Sequence, residues 1–322
     1  MKKVIVIGEI LVEIMADSIG DGFREPLQLT GPFPSGAPAI FIDQVARMGQ
    51  PCAILSTVGN DDFGTVNLRR LKADGVDISG VGIDPELPTG TAFVRYRADG
   101  SRDFIFNIRH SACGVVPDDD VAIRMIDAAH HLHVMGSSLS GPDLIALNLR
   151  AARVIREKGG TVSFDPNLRK EILGTPGLRD AMREILRLTD VFLPSGEEVT
   201  LLTVADDPQG AIDELFGLGI PVIVHKLGDE GVRYHDANGA ISVDAFDVEE
   251  ADPTGAGDCF GGAFMALWLR GTDPHEALTL AAAAGALAVT RCGPMEGAST
   301  MEELRAFVAL RAGNQGPEPV GD

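Results

Sequence analysis

The run Ala251-Asp252-Pro253-Thr254-Gly255-Ala256-Gly257-Asp258 contains the residue types best suited to chemistry in this chain. Its small residues let backbone N–H groups converge on an anion, and a helix starting here adds the positive end of its dipole. The carboxylate of Asp258 would lie beside that anion hole and repel a bound phosphate. A base in this place indicates catalysis rather than simple binding. The alternative is a glycine-rich turn in which Asp258 only stabilises a helix start.

Motifs that would indicate a different chemistry are absent. No Gly-x-x-x-x-Gly-Lys-Ser/Thr run exists, which argues against a P-loop nucleotidase. The glycines of Gly255-x-Gly257-x-x-x-Gly261 lack the dinucleotide spacing and come late in the chain. No His-Glu-x-x-His run occurs, and His131 and His133 are better explained as a structural pair on one strand than as a metal site.

Composition narrows the classes of partner and compartment. The chain has 322 residues and a formal net charge of −20, which argues against nucleic acid or an anionic membrane as its main partner. No stretch approaches the roughly 18 apolar residues of a membrane span. Glu9 and Glu13 interrupt the apolar run that follows Lys2-Lys3, where a secretory signal would continue. The four cysteines form no Cys-x-x-Cys pair, as is typical of reduced thiols, so we expect a cytoplasmic protein.

Short apolar runs alternate with helical patterns along most of the chain. This alternation predicts an α/β fold, namely a Rossmann-like, mostly parallel sheet with helices on both faces. The predicted buried strands are Val4–Ile7, Ala53–Thr57, His131–Met135, Thr161–Phe164, Val191–Leu193 and Val222–Lys226. The predicted helices are Ala37–Met48, Leu144–Lys158, Leu178–Leu188, Glu197–Leu202, Asp258–Leu269, Pro274–Thr290 and Thr300–Leu310.

A period-two pattern on either side of Asp99-Gly100 breaks this alternation and predicts a β-hairpin. With a segment between Leu11 and Phe33, the hairpin is expected to form a small β-sheet lid from about 11–33 and 88–110. An edge hairpin of the main sheet is the alternative. The lid would belong to one domain spanning residues 1–312, and the polar, Pro- and Gly-rich tail 313–322 is expected to be disordered.

Polar residues and glycines gather where the predicted strands end. Each of five strands is followed by such a cluster, namely Gly8-Glu9, Gly136–Ser138, Asp165–Arg169, Pro194–Glu198 and Lys226–Gly231. Ligands of open α/β sheets bind beyond the carboxyl ends of the strands. The five clusters therefore predict one site on that rim of the sheet.

Several of these segments resemble the signatures of the ribokinase-like (PfkB) carbohydrate kinases. Asp252–Asp258 looks like the second signature of that family, and Lys226-x-Gly228-x-x-Gly231 resembles its nucleotide-side turn. The first signature is resembled by Pro34–Ala39 together with Val45–Gly49 and Val58–Gly64. The resemblance covers almost the whole chain and points to the fructokinase, tagatose kinase and 2-keto-3-deoxygluconate kinase branch.

The resemblance implies an ATP-dependent sugar kinase that phosphorylates a primary hydroxyl. Asp258 would be the base that faces the sugar hydroxyl, with Gly255, Ala256 and Gly257 as the anion hole. Glu198 would help to hold the Mg²⁺ of Mg·ATP through water. The implied partners are a small-molecule sugar and ATP, and the resemblance also admits a monovalent cation such as K⁺ and a homodimer formed through the lid.

The resemblance also implies residues that would contact the sugar and residues that would contact the nucleotide. The sugar side would include Glu13, Gly36 and Ala37, as well as Asn167 and Arg169 of an Asp-Pro-Asn-x-Arg pattern. The nucleotide side would include Ser195, Lys226, Gly228 and Gly231. Arg109, just after the hairpin, is a candidate on its own chemistry because a guanidinium suits planar oxyanions, although a solvated edge position would explain it as well.

Four positions depart from the family pattern and leave the substrate open. Ser35 replaces a usual Gly, Ile40 a frequent Asn, Glu13 the commoner Asp, and Ser195 the Asn of Asn-x-x-Glu. An acidic early residue and few basic groups favour a neutral ketohexose such as tagatose or fructose. The alternative is 2-keto-3-deoxygluconate, whose carboxylate Arg109 or Arg169 would bind, and a nucleoside is third because aromatic residues make up only 5% of the chain.

Two hypotheses from other classes are a glycosidase of the same fold that cleaves a C-nucleoside and a non-catalytic sugar- or nucleotide-binding protein. The first is disfavoured by the intact anion-hole signature. The second would be marked by loss of Asp258 or of the glycines before it, and both are present.

Overall fold

The computed structural model of the chain describes residues 1–99, 101–168 and 174–314. The strands of this part are β1 (Val4–Ile7), β2 (Leu11–Ala16), β3 (Leu29–Ser35), β4 (Cys52–Gly59), β5 (Asp77–Asp84), β6 (Gly90–Tyr96), β7 (Arg102–Asn107), β8 (His131–Met135), β9 (Thr161–Asp165), β10 (Val191–Phe192), β11 (Val222–Lys226), β12 (Val232–Asp236) and β13 (Gly239–Val243). The α-helices are α1 (Ala37–Arg47), α2 (Asp62–Ala73), α3 (Asp120–Ala128), α4 (Pro142–Glu157), α5 (Leu178–Arg187), α6 (Pro208–Gly217), α7 (Ala256–Trp268), α8 (Pro274–Val289) and α9 (Met301–Asn314).

The main sheet has nine strands in the order β13-β12-β11-β10-β9-β8-β1-β4-β5. The strands from β11 to β5 pair in parallel, and β12 and β13 add an antiparallel edge. All six predicted strands lie in this sheet, so the expected mostly parallel α/β architecture is confirmed. Because the parallel strands run in one direction, the residues that follow them meet on one rim.

Apolar cores cover both faces of the main sheet. Within β1, Val4 and Val6 belong to one core while Ile5 and Ile7 belong to the other, as the alternation of side chains along a strand requires. Helices α1, α7 and α8 pack in the first core, and α3, α4, α5 and α6 pack in the second. Burial on both faces explains why these strands read as continuous apolar runs in the sequence.

A second sheet has four strands in the order β3-β2-β6-β7. Strands β6 and β7 form the predicted hairpin and pair antiparallel, with Tyr96 opposite Arg102 at the end nearest the turn. Strand β2 pairs in parallel with β6 and antiparallel with β3. The expected small sheet is therefore present, and it is separate from the main sheet rather than an added edge hairpin.

Some elements differ from the sequence-based expectation. The predicted helix Glu197–Leu202 is only a short 3₁₀ turn, Gly196–Val199, in which Glu198 accepts a hydrogen bond from the backbone N–H of Ser195 at 2.9 Å. Helix α9 continues to Asn314, two residues beyond the expected end of the domain. The rest of the predicted tail, 315–322, lies outside the described residues. Within the described part, no helix is long and apolar enough to span a bilayer.

Candidate active site

Helix α7 begins in the glycine-rich run and carries Asp258 in its first turn. Gly255, at the N-cap, has a φ of +84°, and a Cβ there would lie 2.4 Å from the carbonyl oxygen of Pro294. Only glycine fits such a position. A Cβ on Gly257 would meet a single atom within 4 Å, Lys226 Nζ at 3.6 Å. The first N–H groups of a helix have no intrahelical acceptor, so this open face can bind an anion.

Three adjoining cavities meet at this helix start. The inner cavity lies between the two sheets and is lined by Glu9, Glu13, Phe104, Phe106 and Asp258, among others. The central cavity, of about 250 Å³, is lined by the helix start and by Asp165, Asn167, Glu198 and Lys226. The outer cavity, of about 550 Å³, lies beyond it and is lined by Gly228, Gly231 and Phe260, among others.

Shared residues join the three cavities into one path. Thr254 and Asp258 line both the inner and the central cavity. Lys226, Ala256 and Gly257 line both the central and the outer cavity. Asp258 therefore lies at one junction and the anion-binding turn at the other. The shared residues thus lie between the outer and the inner cavity.

Asn167 holds the carboxylate of Asp258 from the side of the main sheet. Its Nδ2 donates to Asp258 Oδ1 at 3.2 Å. The backbone of Asn167 has a φ of +33°, which is unusual for a residue other than glycine, and its N–H donates to Asp165 Oδ1 at 3.1 Å. Asp258 is 6% exposed. The turn after β9 thus fixes the orientation of a nearly buried carboxylate.

The central cavity combines a buried ammonium with acidic groups. Lys226 Nζ donates to Asp165 Oδ2. Burial alone would lower the pKa of Lys226, but the attraction of Asp165, Glu198 and Asp258 outweighs it and raises that pKa, so the ammonium stays charged. Burial and the repulsion of Asp165 raise the pKa of Glu198. Both oxygens of Glu198 accept backbone N–H groups, from Leu168 at 2.8 Å and from Ser195 at 2.9 Å.

The inner cavity has an acidic side and an aromatic side. Glu9 accepts hydrogen bonds from the hydroxyls of Ser137 and Ser138 at 2.7 and 2.9 Å, and Glu13 accepts one from Ser35 at 3.2 Å. Each glutamate is 4% exposed. On the other side, the rings of Phe104 and Phe106 stack with centroids 4.9 Å apart. Among the described residues, no Lys, Arg or His lines this cavity.

Residues 1–301 match the family model described as pfkB family carbohydrate kinase. The chain belongs to this family. The matched range contains the residues that line the three joined cavities.

Relatives of this carbohydrate kinase carry related activities. The 2-dehydro-3-deoxygluconokinase of Thermoproteus tenax is 33% identical over 320 residues, which cover 96% of this chain and 94% of that protein. Fructokinase-1 of Zea mays is 31% identical over 319 residues, covering 95% and 97%. A crystal structure from E. coli, described as a ribokinase II in complex with ATP and Mg²⁺, is 48% identical with a TM-score of 0.90, covering 96% of this chain and all of that one. The protein is an ATP-dependent carbohydrate kinase.

The structure brings most of the predicted site residues of this kinase together. Those that line the three cavities are Glu13, Gly36, Ala37, Asn167, Ser195, Glu198, Lys226, Gly228, Gly231, Gly255, Ala256, Gly257 and Asp258. Arg109 lies apart from them, since it is exposed and its guanidinium donates to the hydroxyl of Thr175 at 3.3 Å. Arg169 lies outside the described residues.

The sequence-based selection missed several residues that line the cavities. Glu9 follows the first strand, so its place on the rim could have identified it. Phe104 and Phe106 are two residues apart on one strand, and that spacing puts both rings on one face of the hairpin. Arg102 lines the central cavity and donates to the Thr254 hydroxyl at 3.3 Å. No sequence signal marks Arg102, because its place depends on how the small sheet docks on the main one.

Proposed function

We propose that this kinase transfers the γ-phosphoryl group of Mg·ATP to a primary hydroxyl of a ketohexose such as fructose or tagatose. The observation that carries the choice is the lining of the inner cavity. Buried Glu9 and Glu13 can accept hydrogen bonds from sugar hydroxyls, and Phe104 and Phe106 offer rings to the C–H face of a sugar. Hydrogen-bond-accepting carboxylates beside aromatic rings suit a neutral, hydroxyl-rich acceptor better than an anionic one.

In this proposal, the chain's own groups divide the work of phosphoryl transfer. Asp258 accepts the proton of the attacking hydroxyl, because its carboxylate lies where the inner and central cavities meet. The N–H groups of Ala256 and Gly257, with Lys226, stabilise the negative charge on the transferred group. ATP occupies the outer and central cavities. Holding both substrates in line supplies a large part of the rate.

Mg²⁺, which the resemblance implies, would be held in the central cavity by Glu198 and Asp165 through water. Within residues 1–99, 101–168 and 174–314, no group of three or more His, Cys, Asp or Glu is placed to hold a metal ion. Magnesium usually keeps several waters and needs only one or two carboxylates. Glu198 and Asp165 supply these, and the bound ion would neutralise charge on the phosphates. The monovalent cation stays a prediction.

The small sheet is proposed to serve as a lid over the sugar and as the contact of a homodimer. Phe104 and Phe106 of β7 line the inner cavity, so moving this strand would open or close it. Between them, Ile105 points to the other face and is 53% exposed, and Leu29 of β3 is 42% exposed. These exposed apolar side chains on two edge strands support pairing with a second copy of the chain. Analytical ultracentrifugation would measure whether the protein is a dimer.

A second candidate substrate is 2-keto-3-deoxygluconate. It is supported by the relative from Thermoproteus tenax and by the exposed Arg109, whose bond to the Thr175 hydroxyl would have to be exchanged for one to a carboxylate. The ATP-consumption rate with fructose, tagatose and 2-keto-3-deoxygluconate, compared as kcat/KM, tests the choice. A higher value for the sugar acid than for both ketohexoses would overturn the substrate assignment and leave the kinase activity standing.

The variant Arg109→Gln is a second test that distinguishes a ketohexose from 2-keto-3-deoxygluconate as the substrate. With a neutral ketohexose, we expect the sugar KM to change by less than about three-fold, because no charged contact is lost. A carboxylate that depends on Arg109 would lose a charged hydrogen bond, and its KM would rise about ten-fold or more with the ATP KM little changed. Steady-state kinetics with each sugar distinguishes the two results.

Glu198→Gln is expected to raise the Mg²⁺ concentration for half-maximal activity by about ten-fold, because a neutral amide attracts the hydrated ion less. The raised pKa of Glu198 means that protonation removes its charge at a higher pH than for an ordinary glutamate. The Mg²⁺ requirement of the wild type should therefore rise as the pH falls, and that of the variant should not. Glu197→Gln changes an exposed neighbour in the same turn and serves as control. Equal Mg²⁺ curves for both variants would exclude this role.

A further inference from the structure

The end of the β6–β7 hairpin touches the loop that leads into α7. The hydroxyl of Tyr96 donates to Asp252 Oδ1 at 2.5 Å, and Arg102 Nη1 donates to the Thr254 hydroxyl at 3.3 Å. Tyr96 and Arg102 are paired across the two strands. The small sheet is thus bonded, through one cross-strand pair, to the residues that come just before the anion-binding turn.

Asp252 connects this contact to two backbone segments. It is 1% exposed, and its Oδ1 also accepts from the N–H of Thr254 at 3.0 Å. Its Oδ2 accepts from the N–H of Gly293 at 2.9 Å. The next residue, Pro294, directs its carbonyl oxygen at the place that a Cβ on Gly255 would occupy. One buried carboxylate therefore fixes the loop before the helix start and the loop packed against it.

The strand that carries Tyr96 is itself held firmly. Arg95 is 5% exposed and points to the opposite face of β6, where its guanidinium donates to the backbone oxygens of Gly22 at 2.7 Å and Ser18 at 3.2 Å. The N–H of Gly20 donates to the carbonyl oxygen of Tyr96 at 2.9 Å. The hydroxyl of Tyr96 is therefore directed at Asp252 by a backbone with little freedom to move.

We propose that Tyr96 is a positioning residue for phosphoryl transfer. It acts through Asp252, and it holds the anion-binding turn in a fixed position relative to the small sheet above the inner cavity. The inference rests on the proposed function, since it takes the small sheet as the cover of the sugar. A hydrogen bond to a buried carboxylate is among the stronger ones in proteins. Removing the donor leaves the carboxylate with two backbone donors and weakens the link between the sheet and the turn, to which Arg102 still contributes.

Tyr96→Phe tests the proposal, and Tyr234→Phe is its matched control. The chain has two tyrosines, and Tyr234 donates to Asp236 at 3.2 Å on β12, outside the three cavities. We expect Tyr96→Phe to lower kcat about ten-fold, which is the effect of losing one charged hydrogen bond that stabilises the transition state. The ATP KM should stay within about two-fold of the wild-type value. Tyr234→Phe should keep the wild-type kcat. An unchanged kcat in Tyr96→Phe would overturn the proposal.

Hydrogen exchange of the backbone gives a second readout that needs no substrate. In Tyr96→Phe, the amides of Thr254 and Gly293 should exchange faster, because the carboxylate that accepts from both is less firmly held. Asp252→Asn should show the same change, and Tyr234→Phe should not. Unchanged exchange at both amides in Tyr96→Phe would overturn the proposal even if kcat fell. If the wild type phosphorylated no ketohexose, the proposed substrate would fail, and the exchange result would still decide the role of Tyr96.

Discussion

Asp258→Asn is expected to lower kcat by about 10²–10⁴-fold, the usual contribution of a general base, while the affinity for Mg·ATP stays nearly unchanged. Asparagine keeps the shape of the side chain but cannot accept the hydroxyl proton. The nucleotide affinity should change little because Lys226 and the N–H groups of Ala256 and Gly257, rather than the Asp258 carboxylate, are the groups proposed to hold the phosphates. Single-turnover rates give the chemical step, and calorimetric titration gives the nucleotide affinity.

Asp62→Asn is the control for the alternative explanation of Asp258 as a residue that only stabilises a helix start. Asp62 lies in the first turn of α2 as Asp258 does in the first turn of α7, but it is exposed and lines none of the three cavities. Loss of a carboxylate near a helix dipole costs stability in both variants. Only Asp258→Asn should lose catalysis. If it kept more than a tenth of the wild-type kcat with chemistry limiting, the assignment of the base would be wrong.

Gly257→Val is expected to lower kcat by about 10²–10³-fold, the effect typical of losing a donor to a developing oxyanion. A Cβ at this position projects into the open space beside Lys226 Nζ and meets no backbone atom outside its own helix within 4 Å. The fold should therefore tolerate the substitution, while the valine methyl groups occupy the place of the transferred phosphoryl group. Circular dichroism and thermal unfolding establish that the variant is folded, and kcat is then compared with the wild type.

The matched control for the substitution of Gly257 is Gly261, which lies one turn further along the same helix. A Cβ on Gly261 makes ordinary contacts of 3.5 Å with the ring of Phe41, and Gly261 lines none of the three cavities. Gly257→Ala and Gly261→Ala both add one methyl group and gain helix propensity. Only the first should slow turnover. A folded Gly257→Val variant with the wild-type rate would mean that the turn faces something other than the transferred phosphoryl group.

Local sequence patterns were sufficient to predict those strands and turns whose conformation depends mainly on their own residues. Val4–Ile7 and His131–Met135 are apolar on both faces because helices cover both sides of the sheet, so length and apolar content identify them. The turn at Gly255 could be predicted as well, since only glycine fits its backbone and Asp258 follows at once. The hairpin of β6 and β7 was marked by period-two alternation around a turn.

Properties that depend on docking between distant segments could not be predicted. Arg102 and Arg109 lie on or just after the same strand, yet only Arg102 reaches the central cavity, because the small sheet lies over α7 at the end nearest the hairpin turn. A sequence pattern does not specify how the small sheet is oriented on the rest of the fold. The turn Gly196–Val199 also depends on a distant segment, since the oxygens of Glu198 accept the N–H groups of Ser195 and of Leu168, a residue 30 positions away.

The two buried glutamates of the inner cavity have a consequence for the end of the catalytic cycle. A neutral hexose, which we propose as the acceptor, would gain a charge of about −1.5 to −2 when it is phosphorylated. Such a product would be repelled by a chain with a net charge of −20, and its new charge would lie in a site that carries Glu9 and Glu13. Under the proposed function, the acidic lining that accepts the sugar would thereby favour the departure of the sugar phosphate and limit inhibition by accumulated product.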